Sequence, residues 1–207
     1  MTGSLSVILG SMYSGKSTRL LELVRRADLG RRQFALVKPK VDNRFSSTDV
    51  VSHDGSSYPC HVVEASLQIL EILPRNVELL FIDEAQFFDD NLLQVVEQLA
   101  LEGVRVVVAG LDLDFQGHPF PSMVALAFSA EELTKLTAIC DLCGENASRS
   151  QRVVDGKPVT HGALIQVGGV ESYEPRCRSC FESPHSVYSR EEIDQAFATP
   201  ALPEVTA

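Results

Sequence analysis

Gly10-Ser11-Met12-Tyr13-Ser14-Gly15-Lys16-Ser17 follows the apolar run Leu5-Ser6-Val7-Ile8-Leu9 and precedes Thr18-Arg19-Leu20-Leu21-Glu22-Leu23-Val24, whose apolar spacing is helical. A glycine-rich turn therefore separates a buried strand from a helix N-terminus. This is G-x-x-x-x-G-K-[ST], the phosphate-binding loop, in its strand–loop–helix context. Gly10 and Gly15 let the backbone turn tightly and approach an anion closely. Free N–H groups at the helix start, with the helix dipole behind them, point at that anion. Lys16 carries a point charge to the β- and γ-phosphates, and Ser17 offers a hydroxyl to Mg²⁺.

The chain has 207 residues, 44% hydrophobic, enough for one compact domain or one domain with a small appendage. No apolar run is long enough to cross a bilayer. Met1-Thr2-Gly3-Ser4 has neither the basic nor the apolar region of a signal peptide, so a cytoplasmic location is expected. A net charge of −10 disfavours a general nucleic-acid binder, which needs a basic face. Cys60 stands alone, whereas the other four cysteines form two pairs, a pattern that suggests metal in a reducing compartment.

Residues 4–9 read as a first strand and 16–27 as a helix closed by Gly30. Arg25, Arg26, Arg31 and Arg32 at its end suit the negative end of the helix dipole. Phe34-Ala35-Leu36-Val37 reads as a second strand, ended by Pro39. Asp42 and Arg44 lie just beyond it, where ligands of open α/β sheets bind; they suit either a phosphate and Mg²⁺ site or a solvated loop. His53-Asp54-Gly55 reads as a polar turn. After a short helix at 66–73, Val77-Glu78-Leu79-Leu80-Phe81-Ile82 ends in Asp83-Glu84, the acidic strand end that partners a phosphate-binding loop. Asp83 is placed for Mg²⁺. Glu84, one residue on, faces the substrate side as a candidate general base.

An amphipathic helix is expected over 91–101, with Leu92, Leu93, Val95, Val96 and Leu99 on its apolar face and Gly103 after it. Residues 104–111 read as a buried strand. In the following Gly/Pro-bearing loop, Phe115 and Phe120 suit either the core or an apolar pocket for a flat ring. Residues 122–133 read as a helix and 135–139 as a further strand. The alternation predicts an α/β fold, a largely parallel sheet flanked by helices.

Cys140-Asp141-Leu142-Cys143 and Cys177-Arg178-Ser179-Cys180 form C-x₂-C…C-x₂-C, which suits a closed, tetrahedral structural Zn²⁺ site. Between them, Asp155-Gly156 reads as a hairpin turn. Gln166 to Tyr173 reads as a loop with accessible backbone, so the metal would clamp a segment able to close over a substrate. Ser189-Arg190-Glu191-Glu192 is a capping box for a short helix to about Phe197, with a disordered end beyond it.

Together these elements resemble the thymidine kinases of the zinc-containing type, shared by many bacteria and by animal cytosol. The resemblance covers residues 4–181. It rests on the phosphate-binding loop, Asp83-Glu84-Ala85-Gln86-Phe87, Leu111-Asp112 with Phe115-Gln116 and Pro119-Phe120, the four cysteines, and Val167-Gly168-Gly169 with Tyr173. It implies a P-loop NTPase fold with a zinc-bearing lasso or lid. The corresponding division is a nucleoside kinase domain over 1–139, a lasso domain over 140–182 and a tail over 183–207. The implied reaction is ATP-dependent phosphorylation of the deoxythymidine 5′-hydroxyl.

The resemblance also assigns roles. Glu84 is the base, Lys16 and the loop amides carry phosphates, and Arg44 lies near the transferred group. Residues 10–17 with Asp83, Glu84, Ala85 and Gln86 form the ATP site. Ser17, Asp42 and Asp83 serve Mg²⁺. Met12, Phe87, Leu111, Phe115, Phe120, Ser150 and Tyr173 surround the nucleoside, with backbone groups of Gln166, Val167, Gly168 and Gly169 at the base edge. At Ser150 some relatives have threonine; serine keeps the hydroxyl and loses a methyl. A homotetramer and feedback inhibition by thymidine triphosphate are likewise implied.

Two other classes fit less well. A nucleic-acid-dependent ATPase with a zinc ribbon needs a basic track, against the −10 charge. A guanine-nucleotide switch needs N/T-K-x-D, and Thr134-Lys135-Leu136-Thr137 lacks the aspartate.

Overall fold

The computed structural model describes residues 3–40, 49–51, 55, 57–162, 172–183 and 195. Its elements run β1 (Ser4–Gly10), α1 (Lys16–Leu29), β2 (Phe34–Pro39), β3 (Asp49–Val51), β4 (Ser57–Pro59), β5 (His61–Val63), α2 (Gln68–Ile72), β6 (Leu79–Ile82), a 3₁₀ turn (Ala85–Phe87), α3 (Leu92–Leu101), β7 (Arg105–Leu111), α4 (Pro121–Ser129), β8 (Glu132–Leu136), β9 (Ala138–Ile139), β10 (Asn146–Ala147), β11 (Arg149–Val154), β12 (Lys157–Val159) and β13 (Ser172–Arg176). Six of the strands form one sheet in the order β5-β2-β6-β7-β1-β8. Every pairing in it is parallel, as expected for strands joined by crossovers.

The sheet is buried on both faces, which is why its strands read as continuous apolar runs. On one face, Leu20, Leu21, Val24 and Ala27 of α1 form a stripe at helical spacing against Ile8, Phe81 and Val107. On the other, Leu92, Val95, Val96 and Leu99 of α3, with Met123 and Leu126 of α4, cover Val7, Val106 and Val108. Leu20 is fully buried, so Leu20→Ala would remove about 2–5 kcal/mol.

Two expected boundaries need correction. The helix read over 122–133 ends at Ser129, and the strand read over 135–139 is instead β8 at Glu132–Leu136, followed by the separate β9. Local composition favours helix through Glu131-Glu132. However, β1 would otherwise present an unpaired edge, and its backbone groups need partners. Glu131 N–H donates to the Leu5 carbonyl, its carboxylate accepts from Leu5 N–H, and β8 pairs with β1 from Ser6↔Glu132 to Gly10↔Leu136. β9 pairs antiparallel with β10 rather than joining the large sheet.

The chain then forms a three-stranded antiparallel sheet, β12-β11-β13. Asp155 and Gly156, both at positive φ (50° and 74°), make the two-residue turn between β11 and β12, as such hairpins require. Among the described residues no helix is long and apolar enough to cross a membrane. His53, Asp54 and the proposed helix from Ser189 to Phe197, apart from Gln195, lie outside the described residues, as does the chain end.

Candidate active site

Parallel pairing brings the C-terminal ends of the strands to one edge. Gly10 is in register with both Leu111 and Leu136, and Ile82 with Val37. The phosphate-binding loop leaves β1 at this edge. At Gly10 a Cβ would meet the Leu136 carbonyl oxygen at 2.6 Å and Ser14 Oγ at 2.5 Å, so only glycine fits. Gly15, at φ 85°, precedes α1 without any side-chain cap, which leaves the helix start open to an anion. Lys16 is buried, its Nζ donating to the Ser11 carbonyl at 2.7 Å, so the ammonium arches over the loop.

Asp83 follows directly on β6, with 5% of its surface exposed. Burial, reinforced by the adjacent Glu84 carboxylate, pushes its carboxyl up to about 7. A hydrogen bond with Ser17, the Glu84 N–H and the Lys16 charge pull the other way. Asp83 and Ser17 thus meet beside Lys16, a pair of oxygen donors suited to a hard cation such as Mg²⁺.

Glu84 adopts a left-handed backbone, φ 52° and ψ 40°, unusual for a residue with a Cβ. Such a conformation costs about 1–3 kcal/mol and persists where the surroundings dictate it. Here the Glu84 N–H is held by Asp83 Oδ1 at 3.0 Å, and the 3₁₀ turn follows at once. Gln86, itself buried, then orients the carboxylate. Its Nε2 donates to Glu84 Oε2 at 2.5 Å, while its Oε1 accepts from Leu111 N–H at 2.9 Å. The amide is satisfied on both sides, which ties the end of β6 to the end of β7.

The loop after β7 supplies aromatics. Asp114 folds it by accepting from Gln116 and His118 N–H, and Phe120 N–H returns to the Asp112 carbonyl. Phe120 meets Phe87 edge-to-face with ring centroids 6.5 Å apart. Phe115 is buried beneath the guanidinium of Arg152, 3.7 Å from its ring centroid. Tyr173, on β13, receives hydrogen bonds from the same guanidinium. The three-stranded sheet docks directly on the phosphate-binding loop. Ser150 Oγ accepts from Met12 N–H at 2.9 Å, and Ser11 Oγ donates to the Ala147 carbonyl at 3.3 Å. Ser150 therefore engages the loop backbone itself.

The four cysteines converge as their spacing predicts. The sulfurs of Cys140, Cys143, Cys177 and Cys180 lie within 4.8 Å of one another, with Cys143 and Cys177 at 3.6 Å. A tetrahedron with Zn–S bonds of about 2.3 Å has edges of about 3.8 Å, so this set fits a structural zinc ion. Burial opposes ionisation of Cys140, but N–H donors of Cys177, Leu142 and Cys143 outweigh it and bring the thiol down to about 6. Hydrogen bonding with Cys177, then Cys143, pushes Cys180 up to about 12. A cation at the centre replaces this shared proton inventory with four thiolates.

Asp42, Arg44, Gln166, Val167, Gly168 and Gly169 lie outside the described residues. Gln86 was expected in the ATP site, but its tie between Glu84 and Leu111 N–H was not legible in the sequence, and three charged groups, Lys38, Asp112 and Arg152, had no assigned role. Lys38, buried at the end of β2, donates to the Asp49 carbonyl at 2.8 Å. Its signal was a lysine inside an apolar strand. Asp112 is buried with Lys135 Nζ 2.8 Å from Oδ2, an ion pair that lacks hydrogen-bond alignment. The third, Arg152, is 1% exposed and had no local signal.

Comparison with known proteins agrees with this geometry. The family model described as thymidine kinase matches residues 3–181. Among solved structures, domain III of the Thermotoga maritima replication initiation protein DnaA aligns at 16% identity and TM-score 0.41, over 65% of this chain and 55% of that one. The Legionella pneumophila ATPase DotB aligns at 17% identity and TM-score 0.37, over 62% of this chain and 35% of that one. Both are distant likenesses.

Proposed function

The chain belongs to the thymidine kinase family, and from this we propose that it transfers the γ-phosphoryl group of ATP to the 5′-hydroxyl of deoxythymidine, giving thymidine monophosphate and ADP. The observation that carries the reading is Glu84, held by Gln86 at the same sheet edge as Lys16 and the aromatic loop. Phosphoryl transfer needs positioning and charge neutralisation more than covalent help. Lys16 and the loop amides hold the β- and γ-phosphates. Ser17, Asp83 and Asp42 would hold Mg²⁺, which when bound would supply charge neutralisation on the phosphates. Arg44 reaches the transferred group. Glu84 accepts the proton of the 5′-hydroxyl, its carboxylate oriented by the hydrogen bond from Gln86.

Met12, Phe87, Leu111, Phe115, Phe120 and Tyr173 enclose the nucleoside, with Ser150 bracing the loop beneath Met12. Backbone groups from Gln166 to Gly169 read the edge of the base and reject a purine by clash. Cys140, Cys143, Cys177 and Cys180 hold structural zinc, which anchors residues 140–182 as a lid domain over the kinase domain 1–139, the tail being 183–207. Keeping water out protects ATP from hydrolysis. We place the enzyme in the cytoplasm, in nucleotide salvage for DNA synthesis, as a homotetramer inhibited by thymidine triphosphate, without nucleic-acid or membrane partners.

The test is ADP release with ATP and Mg²⁺ in the presence of thymidine, deoxycytidine, a purine deoxynucleoside or no nucleoside. Turnover is expected with thymidine alone, and Glu84→Gln should lower kcat at least ~100-fold. ADP release indifferent to nucleoside would refute the kinase reading. An unimpaired Glu84→Gln enzyme would leave the reaction and remove Glu84 as its base.

A further inference from the structure

Arg152 is among the largest fully buried side chains, at 1% exposure. Burying a guanidinium is expensive unless its donors and its flat face are matched. Both are matched by aromatic residues. The Cζ atom stands 3.7 Å from the Phe115 ring centroid, a close cation–π stack. Nε and Nη2 donate to the Tyr173 hydroxyl at 3.0 and 2.9 Å. The two aromatics come from segments far apart in sequence, the loop after β7 and strand β13. Arg152 and Tyr173 are direct cross-strand partners, so their side chains leave the same face of the small sheet. A second tie runs parallel to the first: Gln116 Nε2 donates to the Thr160 carbonyl at 2.9 Å.

Guanidinium has donors and no acceptor, so the Tyr173 hydroxyl must take both N–H groups on its lone pairs. Its own proton is thereby turned away from Arg152, and it has no acceptor among the described residues.

We propose that Arg152 is a positioning residue for the nucleoside, fixing the separation of Phe115 and Tyr173 and setting the Tyr173 O–H as a donor to a nucleoside oxygen. The inference rests on the kinase reading above. Lysine cannot replace the arginine, because an ammonium supplies neither the stacking plane nor the two-nitrogen fork.

The experiment is a double-mutant cycle on the full-length, zinc-loaded chain: wild type, Arg152→Lys, Tyr173→Phe and the double variant. Thymidine Kd and KM, ATP·Mg²⁺ Kd, kcat and zinc content are measured for each. Arg152→Lys should weaken thymidine binding ~10-fold, with ATP binding, kcat and zinc content unchanged. The double variant should be little worse than Arg152→Lys alone, because both changes break one coupled unit. Additive losses, or a matching fall in ATP affinity or zinc content, would mean that Arg152 merely supports the fold and would overturn the proposal. A parallel arm keeps this separate from the kinase reading: ¹⁹F NMR with fluorotyrosine, assigning Tyr173 by its loss in Tyr173→Phe. A Tyr173 resonance that shifts and broadens in Arg152→Lys supports the clamp; one that does not change overturns it, whether or not thymidine binds.

Discussion

Replacing Asp83 with asparagine should stabilise the nucleotide-free protein while abolishing its use of Mg²⁺. Asp83 is almost wholly buried, and burial with the neighbouring Glu84 carboxylate moves its carboxyl from the ordinary 3.8 to about 7. Below pH 3.8 the group is protonated whether the chain is folded or not, and it has no net effect. Between 3.8 and about 7 the unfolded chain ionises while the folded one keeps the proton. The penalty to folding therefore grows by about 1.4 kcal/mol per pH unit. Above pH 7 both states are ionised and the penalty levels off at about 4 kcal/mol, an upper figure for a buried carboxyl. Asparagine carries no such penalty and still offers an oxygen to Ser17. The assay is urea unfolding of the zinc-loaded protein without Mg²⁺, at pH 5.5 and pH 8.0. The variant should be more stable at both, and its advantage should be larger at pH 8.0 by about 2 kcal/mol. ATP with Mg²⁺ should reverse the ranking by binding only the wild type well. An advantage that does not change with pH would show that Asp83 carries no displaced proton. A variant less stable than wild type at pH 8.0 would show that attraction to Lys16 outweighs burial.

Gln86→Leu should lower kcat by ~10–100-fold with little change in ATP affinity, because Glu84 loses its orienting donor and Leu111 N–H its acceptor; rapid-quench kinetics separates this from a binding defect. Removing zinc with a chelator should unfold the β9–β10 and β11–β13 region first and raise the thymidine KM, read by hydrogen exchange alongside zinc content. Retention of thymidine affinity at zero zinc would contradict a clamping role. Ser150→Ala leaves Met12 N–H without its acceptor and should destabilise the protein by about 1–3 kcal/mol in denaturant melts, whereas Ser150→Thr should restore most of that loss.

The sequence by itself determined the local units. Gly10 to Ser17 between an apolar run and a helical one required a strand, a turn and a helix. Asp83-Glu84 at the end of a second apolar run named the acidic partner, and two C-x-x-C pairs named the metal site. These are local because glycine conformations, apolar periodicity and thiolate spacing are properties of short segments. What lies between the segments was decided in three dimensions. Residues 132–136 became strand because β1 needed an edge partner, overriding a helix-favouring composition. Gln86 looked like any amide in a motif until folding set Glu84 on one side of it and the Leu111 backbone on the other. Ser150 met the phosphate-binding loop at Met12, and Arg152 met Phe115, across separations in sequence that no periodicity spans. A buried arginine in a short polar stretch reads like an exposed one, because its burial is conferred by the aromatics that come to cover it.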